Sequence, residues 1–276
     1  MKQNDHVQRS LRHKAIIKAV GQADVVSVEA LTRLTGVSAV TIRRDLVELE
    51  SAGSLRRTHG GATRVLTRGA PMPFSLRMTE DLDVKARLAV VAADLVADDE
   101  SVIIDGGTTG AAVARELAGR PVTALCLSLH AAAALASRSG AMVSVPGGPV
   151  ATDSLEAEPA SAMTAIRGVL VDVAILGACS SSATALTAVH SADAEVKRLA
   201  MAAATRRVLV AAGTKLGRSS TFRFGEPADL THLVTTDDAP EEILEAYRDA
   251  GVDVITCRLS EGGGNPDRPV PPGRPR

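Results

Sequence analysis

The chain has 276 residues, 45% of them hydrophobic and 23% charged, with a net charge of −1, enough for a small domain plus a larger one with its own core. It holds no run of eighteen apolar residues, and its polar N-terminus lacks the apolar stretch of a signal peptide, so a cytoplasmic protein without a membrane anchor is expected. Cys126, Cys179 and Cys257 form no CxxC pair, which argues against a disulfide framework or zinc site and reads as small buried hydrophobes.

Phe74, Phe222, Phe224 and Tyr247 are the only aromatic residues, which argues against proteins that stack single-stranded bases. The charge is uneven. Residues 1–68 hold twelve Lys and Arg against six Asp and Glu, net +6, leaving nineteen against twenty-six, net −7, in the rest. A basic head on an acidic body concentrates attraction for phosphates where a nucleic-acid groove would dock.

Residues 1–8 are polar and expected to fray. Arg9 to Val20 reads as an amphipathic helix with Leu11, Ala15, Ile16 and Ala19 on its apolar side. Ser27 caps a second helix, with Val26 and Leu31 as a hydrophobic staple and Leu34 continuing the inner side. Gly36-Val37-Ser38 makes a turn, Ser38 caps a third helix, and Ile42, Leu46 and Leu49 face the core. That register turns Val40, Arg44 and Val47 outward, flanked by Thr41 and Arg43. Gly53 ends the helix, and Leu55–His59 before Gly60-Gly61 reads as a basic two-stranded wing.

Two arginines on a helix are most often a solvated face. The joint pattern of two capped helices, a glycine turn and a basic wing points instead to a winged helix-turn-helix. Ser38, Val40, Thr41, Arg43 and Arg44 would approach the major groove, and Arg56, Arg57 and His59 the backbone or minor groove. The segment VSVEALTRLTGVSAVTIRRDLVELESAGSLRRTHGGA, with VSVE, GVS, TIRRDL, ELE and RTHGGA at matching spacing, resembles the N-terminal domain of the DeoR family of bacterial transcriptional regulators. The resemblance continues more weakly to about residue 258.

Residues 62–83 mix Thr, Arg, Gly and Pro, and Pro71 and Pro73 forbid a continuous helix, so a linker that lets head and body reorient is expected. From Val84 helical and strand-like stretches alternate: helix 84–97, strand 101–105, helix 111–118, strand 122–127, helix 129–137 and strand 142–145. They resume with strand 171–177, helix 193–205, strands 208–212 and 231–236, helix 240–250 and strand 252–256. Apolar strands alternating with helices predict an α/β fold with a mostly parallel sheet covered on both faces. The expected domains are a head at 6–62, a linker at 63–83, a body at 84–258 and a disordered tail at 259–276, rich in Gly, Pro and Arg.

Ligands of such sheets bind beyond the carboxyl ends of strands. Asp105-Gly106-Gly107-Thr108-Thr109-Gly110 lies at such an end and opens a helix, which suits an anion, although a tight turn with no ligand remains the plain alternative. Neither a Walker A loop nor GxGxxG is present, so no ATP or dinucleotide cofactor is expected.

The family resemblance implies a body folded like ribose-5-phosphate isomerase that senses phosphorylated sugars. It implies that Asp105, Gly106, Gly107, Thr108 and Thr109 cradle the phosphate, and that Gly147-Gly148 form a second ligand-side turn. Lys197 follows on a helix with Glu195, and Lys215 and Arg218 form a basic loop. Departures from the family pattern are Leu127 in place of Asn, Cys179 in place of an acidic residue, Ala212 in place of Asp, Ala185 in place of Gly and Ala188 in place of Thr. A sugar buried against Leu127 and Ala212 would leave hydroxyls unpaired at about 1–3 kcal/mol each, so a less hydroxylated effector or a weakened response is expected.

The expected function is that of a sequence-specific repressor of duplex operators controlled by a small phosphorylated effector. A homo-oligomer, dimer or tetramer, would place half-sites about 34–36 Å apart or at multiples of that. The alternatives are a sugar-phosphate isomerase-like enzyme and a DNA-binding protein with an unresponsive body. For the enzyme, the position of the catalytic carboxylate holds Cys179, and His130 and His190 stand alone. No catalytic or metal-ligating residue is assigned.

Overall fold

A computed structural model of the protein describes residues 2–22, 25–51, 54–64 and 74–259. The head comprises α1 (Lys2–Gln22), β1 (Val26–Ser27), α2 (Val28–Thr35), α3 (Ala39–Ser51), β2 (Leu55–Thr58) and β3 (Gly61–Arg64). Ser27 Oγ accepts from the Ala30 amide at 3.1 Å and Ser38 Oγ from the Thr41 amide at 3.2 Å, so both expected caps form. Gly36 closes α2 in the left-handed conformation, φ 72°, donating to the Thr32 carbonyl.

Ile16, Val20, Leu31, Ile42, Leu46, Leu49, Leu55 and Ala62 form the head's core. The wing has a third strand, since β1 pairs antiparallel with β3. That pairing explains the second glycine of the pair: a Cβ on Gly61 would lie 2.2 Å from the Val26 carbonyl oxygen, while Gly60, φ 85°, makes the hairpin turn.

Several expectations are corrected. α1 begins at Lys2, so residues 2–8 belong to the helix. Its buried stripe is His13, Ile16 and Val20, and Leu11 is 61% exposed. Leu34 is 57% exposed, because the inner arc of α2 runs from Leu31 toward Val28 and Thr35 and leaves Leu34 on the other side. Cys179 is exposed, whereas Cys126 and Cys257 are buried. Gly53, the linker stretch 65–73 with Pro71 and Pro73, and the tail from residue 260 lie outside the described residues.

The linker region gives way to a short helix, α4 (Phe74–Arg77), before α5 (Leu82–Asp94). Phe74 and Leu76 are buried, and Phe74 stacks on His130 with centroids 4.9 Å apart. The body continues through β4 (Ser101–Ile104), α6 (Gly107–Leu117), β5 (Thr123–Cys126), α7 (Leu129–Leu135), β6 (Met142–Ser144) and α8 (Pro159–Arg167). It then runs through β7 (Val171–Gly177), β8 (Ser180–Ser181), β9 (Leu186–Ala188), α9 (Ser191–Ala202), β10 (Ala204–Val210), β11 (Phe222–Gly225), β12 (His232–Thr236), α10 (Glu241–Asp249) and β13 (Asp253–Cys257).

Seven strands form one sheet in the order β13-β12-β10-β7-β4-β5-β6, and every pairing in it is parallel. Alternate residues feed two cores. Val102, Ile104, Val173, Ile175, Val208 and Val210 pack with α5, α6 and α7, while Ile103, Ala174, Leu176 and Leu209 pack with α8, α9 and α10. The small antiparallel sheet β11-β9-β8 and helix α8 carry no strong periodic signal and are absent from the sequence reading. The chain winds outward from β4 to β6 and then returns to β4's other flank as β7, so the strand order reverses between β4 and β7. That reversal opens a crevice at their carboxyl ends.

Candidate functional site

On the head, the core positions of α3 fix what faces outward. Val40 is 73% exposed, Val47 44%, and the Arg44 side chain 85%. Ser38, Arg43, Arg56, Arg57 and His59 are exposed too, with Thr41 half-buried, so the residues expected to meet DNA lie on α3's outer face, its N-cap and the adjoining wing. Glu50 of α3 accepts from the Arg57 amide at 2.8 Å and ties the wing to the helix. Asp45, next in sequence to the two arginines, points inward instead. It receives Arg12 Nε and Nη2 at 2.6 and 3.0 Å and faces His13 Nε2 at 3.0 Å. Burial pushes its carboxyl up, but Arg12 and His13 outweigh that and hold it below the usual carboxylate range.

On the body, a cavity of about 700 Å³ fills the crevice. Gly106 stands at the N-cap of α6 and Gly107, φ 88°, bends the chain so that the first turn presents its amides with Thr108 and Thr109. Asp105 Oδ1 accepts from the Gly106 amide and Oδ2 from the Gly177 amide, both at 2.9 Å, and Lys197 ion-pairs with Oδ2. Lys197 also meets Asp193 at 3.3 Å. Burial works against the Lys197 ammonium, yet these two carboxylates hold its pKa above the ordinary range. Asp105 and Lys197, both expected to bind a ligand, are thus committed to each other and brace the ends of β4 and β7.

Other positive charges reach the cavity from elsewhere in the chain, and Arg77 among them also attracts the Glu156 carboxylate. Lys215, Arg218 and Arg77 line the cavity, and Lys215 donates to the Ala178 carbonyl at 3.1 Å. Burial, with Arg77 and Lys197 nearby, pushes the Lys215 amine down. Lys85 behind them, which donates to the Arg77 and Glu80 carbonyls, is pushed down to about 8 by burial and by Lys215. Cations that depress one another around a helix N-terminus favour an anion. Glu156 overhangs the loop: a Cβ on Gly106 would lie 2.9 Å from it, and burial pushes its carboxyl up.

Gly147 and Gly148 are not brought to this cavity. They follow the edge strand β6, and Gly147 lines a separate open groove with Ser161 and Thr164. The chain then runs back to bridge Glu156 with Ser128, so Ala151, Asp153, Ser154 and Glu156 reach the cleft instead. Arg77 and Glu156 were not anticipated. The one signal for Arg77 was its place beside the apolar pair Phe74 and Leu76 just after Pro71 and Pro73.

The profile described as DeoR C terminal sensor domain matches residues 80–237, and that of the DeoR-like helix-turn-helix domain matches residues 12–68. The chain belongs to the DeoR family of transcriptional regulators. This DeoR-family regulator is 28% identical over 245 residues to the HTH-type transcriptional regulator GolR of Listeria innocua, covering 88% of this chain and 96% of that protein. To the HTH-type transcriptional repressor GlcR of Bacillus subtilis it is 27% identical over 90% of this chain and 96% of that one. Ribose 5-phosphate isomerase from Methanocaldococcus jannaschii is a partial structural match, with 20% identity, TM-score 0.37, 50% of this chain and 55% of that one. No helix among the described residues of the DeoR-family regulator is long and apolar enough to cross a membrane.

Proposed function

We propose that the chain is a cytoplasmic transcriptional repressor that grips a duplex operator through α3 and the wing and answers to a phosphorylated small molecule bound at residues 106–109, Lys215, Arg218 and Arg77. The observation that carries this reading is the position of Arg77. It sits on α4, the first described element after the linker stretch, and α4 packs against both α1 of the head and α6 of the body. An anion that draws Arg77 inward would shift the linker and move paired heads off register with their half-sites. The reading takes 6–62 as the head and 84–258 as a sensor that also joins subunits into a dimer or tetramer.

Gel retardation of duplexes selected from a random pool, at low salt, tests the DNA half. Arg44→Ala is expected to cost about 1–3 kcal/mol on the selected site and relax its sequence preference, whereas Arg57→Ala weakens all duplexes alike. Equal, sequence-blind losses remove Arg44 from base reading.

Calorimetric titration with inorganic phosphate tests the other half. Affinity is expected to fall as pH rises from 7.5 to 9.5, because Lys85, with a pKa of about 8, gives up its charge in that interval. Lys215→Ala weakens binding at every pH. An unchanged affinity in that variant removes Lys215 from the site.

One observation favours a second reading, a sugar-phosphate isomerase: Glu156, with its raised pKa, could serve as a base over the loop. Isomerisation of ribose 5-phosphate that vanishes in Glu156→Gln would support it.

A further inference from the structure

The cleft does not end at the anion cradle. Past Gly106 it opens into a second lobe of about 610 Å³ beside the first turns of α8 and α9. The two lobes share Asp105, Gly106, Ala151, Glu156, His190 and Asp193, so they form one continuous trough. The second lobe is walled by Leu127, Ala157, Pro159, Ala162 and Val196, with Phe222 of β11 at its mouth, 39% exposed.

The polar residues of this lobe are Asp105, Glu156, Glu158, His190, Ser191 and Asp193. Asp105 and Asp193 both pair with Lys197, and the basic groups Arg77, Lys215 and Arg218 gather in the first lobe. A polyhydroxylated body placed against the wall of Leu127, Ala162, Val196 and Phe222 loses its water and finds no partner on that side, while hydrocarbon gains by burial.

We propose that the effector is a phosphomonoester with an apolar alkyl or aryl body, its phosphate over Gly106–Thr109 and its body against Leu127, Val196 and Phe222. This rests on the anion reading above and narrows it from any phosphorylated metabolite to an amphiphilic one. The charge is supplied by one lobe and the apolar contact by the other, so neither inorganic phosphate nor a sugar phosphate fills the trough.

Calorimetric titration of the full chain with inorganic phosphate, butyl phosphate, hexyl phosphate and glucose 6-phosphate tests it. Affinity is expected to rise about fourfold per added methylene, about fifteenfold from butyl to hexyl. Glucose 6-phosphate is expected to bind no tighter than inorganic phosphate. Phe222→Glu, at the exposed mouth, is expected to flatten the alkyl series, and Leu127→Asn to narrow the gap between hexyl phosphate and glucose 6-phosphate.

A flat series in the parent protein, or tighter binding of glucose 6-phosphate, overturns the amphiphilic assignment and leaves the anion site standing. A full slope retained in Phe222→Glu overturns the placement of the body. Failure of every compound to bind, inorganic phosphate included, overturns both readings.

Discussion

Replacing Lys197 by methionine is expected to destabilise the body by about 3–5 kcal/mol, because it strands Asp105 as an uncompensated buried charge. Both residues are 4% exposed. The Asp105 carboxylate keeps the Gly106 and Gly177 amides as partners, but these supply only partial charges in place of an ammonium. Urea unfolding followed by far-ultraviolet circular dichroism measures the loss. The double variant Asp105→Asn, Lys197→Met removes both charges and is expected to recover much of it. A Lys197→Met midpoint equal to the parent's would show that the pair does not brace β4 against β7. The consequence for function is indirect: the anion loop hangs from Asp105, so a loosened brace degrades the cradle even though Lys197 spends its charge elsewhere.

The second large effect is expected in the head. Asp45→Ala removes the acceptor of a bidentate Arg12 and of buried His13, at about 3–5 kcal/mol, a large share of what a domain of this size commands. Asp45 is 2% exposed and does not face the groove, so DNA binding is lost through unfolding rather than through a missing contact. Peptide-level hydrogen exchange across residues 9–50 of the full chain separates the two causes. Asp45→Ala should lose protection there, whereas Arg43→Ala and Arg44→Ala should keep it.

The same cluster sets a pH dependence. Burial holds the His13 pKa below its ordinary value, so the unfolded chain binds the extra proton more readily. Head stability therefore falls as pH drops below about 6.5. The depressed Asp45 carboxyl continues that loss below about 3.9, as pH approaches its folded value. Constant protection between pH 7 and pH 5 would contradict the His13 assignment.

The head was legible because its signals are local. Caps at Ser27 and Ser38, the turns at Gly36 and Gly60 and the spacing of Ile42, Leu46 and Leu49 act within one or two turns of helix, and the structure places each as expected. Leu11 and Leu34 misled because apolar character does not say which edge of a stripe the neighbouring helices cover. The body's parallel strands were equally legible as apolar runs, since each is covered on both faces. Helix α8 and the sheet of β8, β9 and β11 were not, because alanine-, serine- and threonine-rich segments carry weak periodicity.

By itself the sequence determined that a capped, basic winged helix precedes a doubly covered parallel sheet with an anion-suited turn at Asp105–Gly110. Those features depend on periods of two and 3.6 residues and on residue types that act on their own backbone. Only the tertiary structure decided which charges meet. Lys197 and Asp105, 92 positions apart, neutralise each other, while Arg77 and Glu156 arrive at the cleft from opposite sides of the chain. Gly147 and Gly148 are carried away beyond an edge strand. Coulomb interactions depend on distance through space, and the strand order β7-β4-β5-β6, which no local pattern encodes, sets those distances.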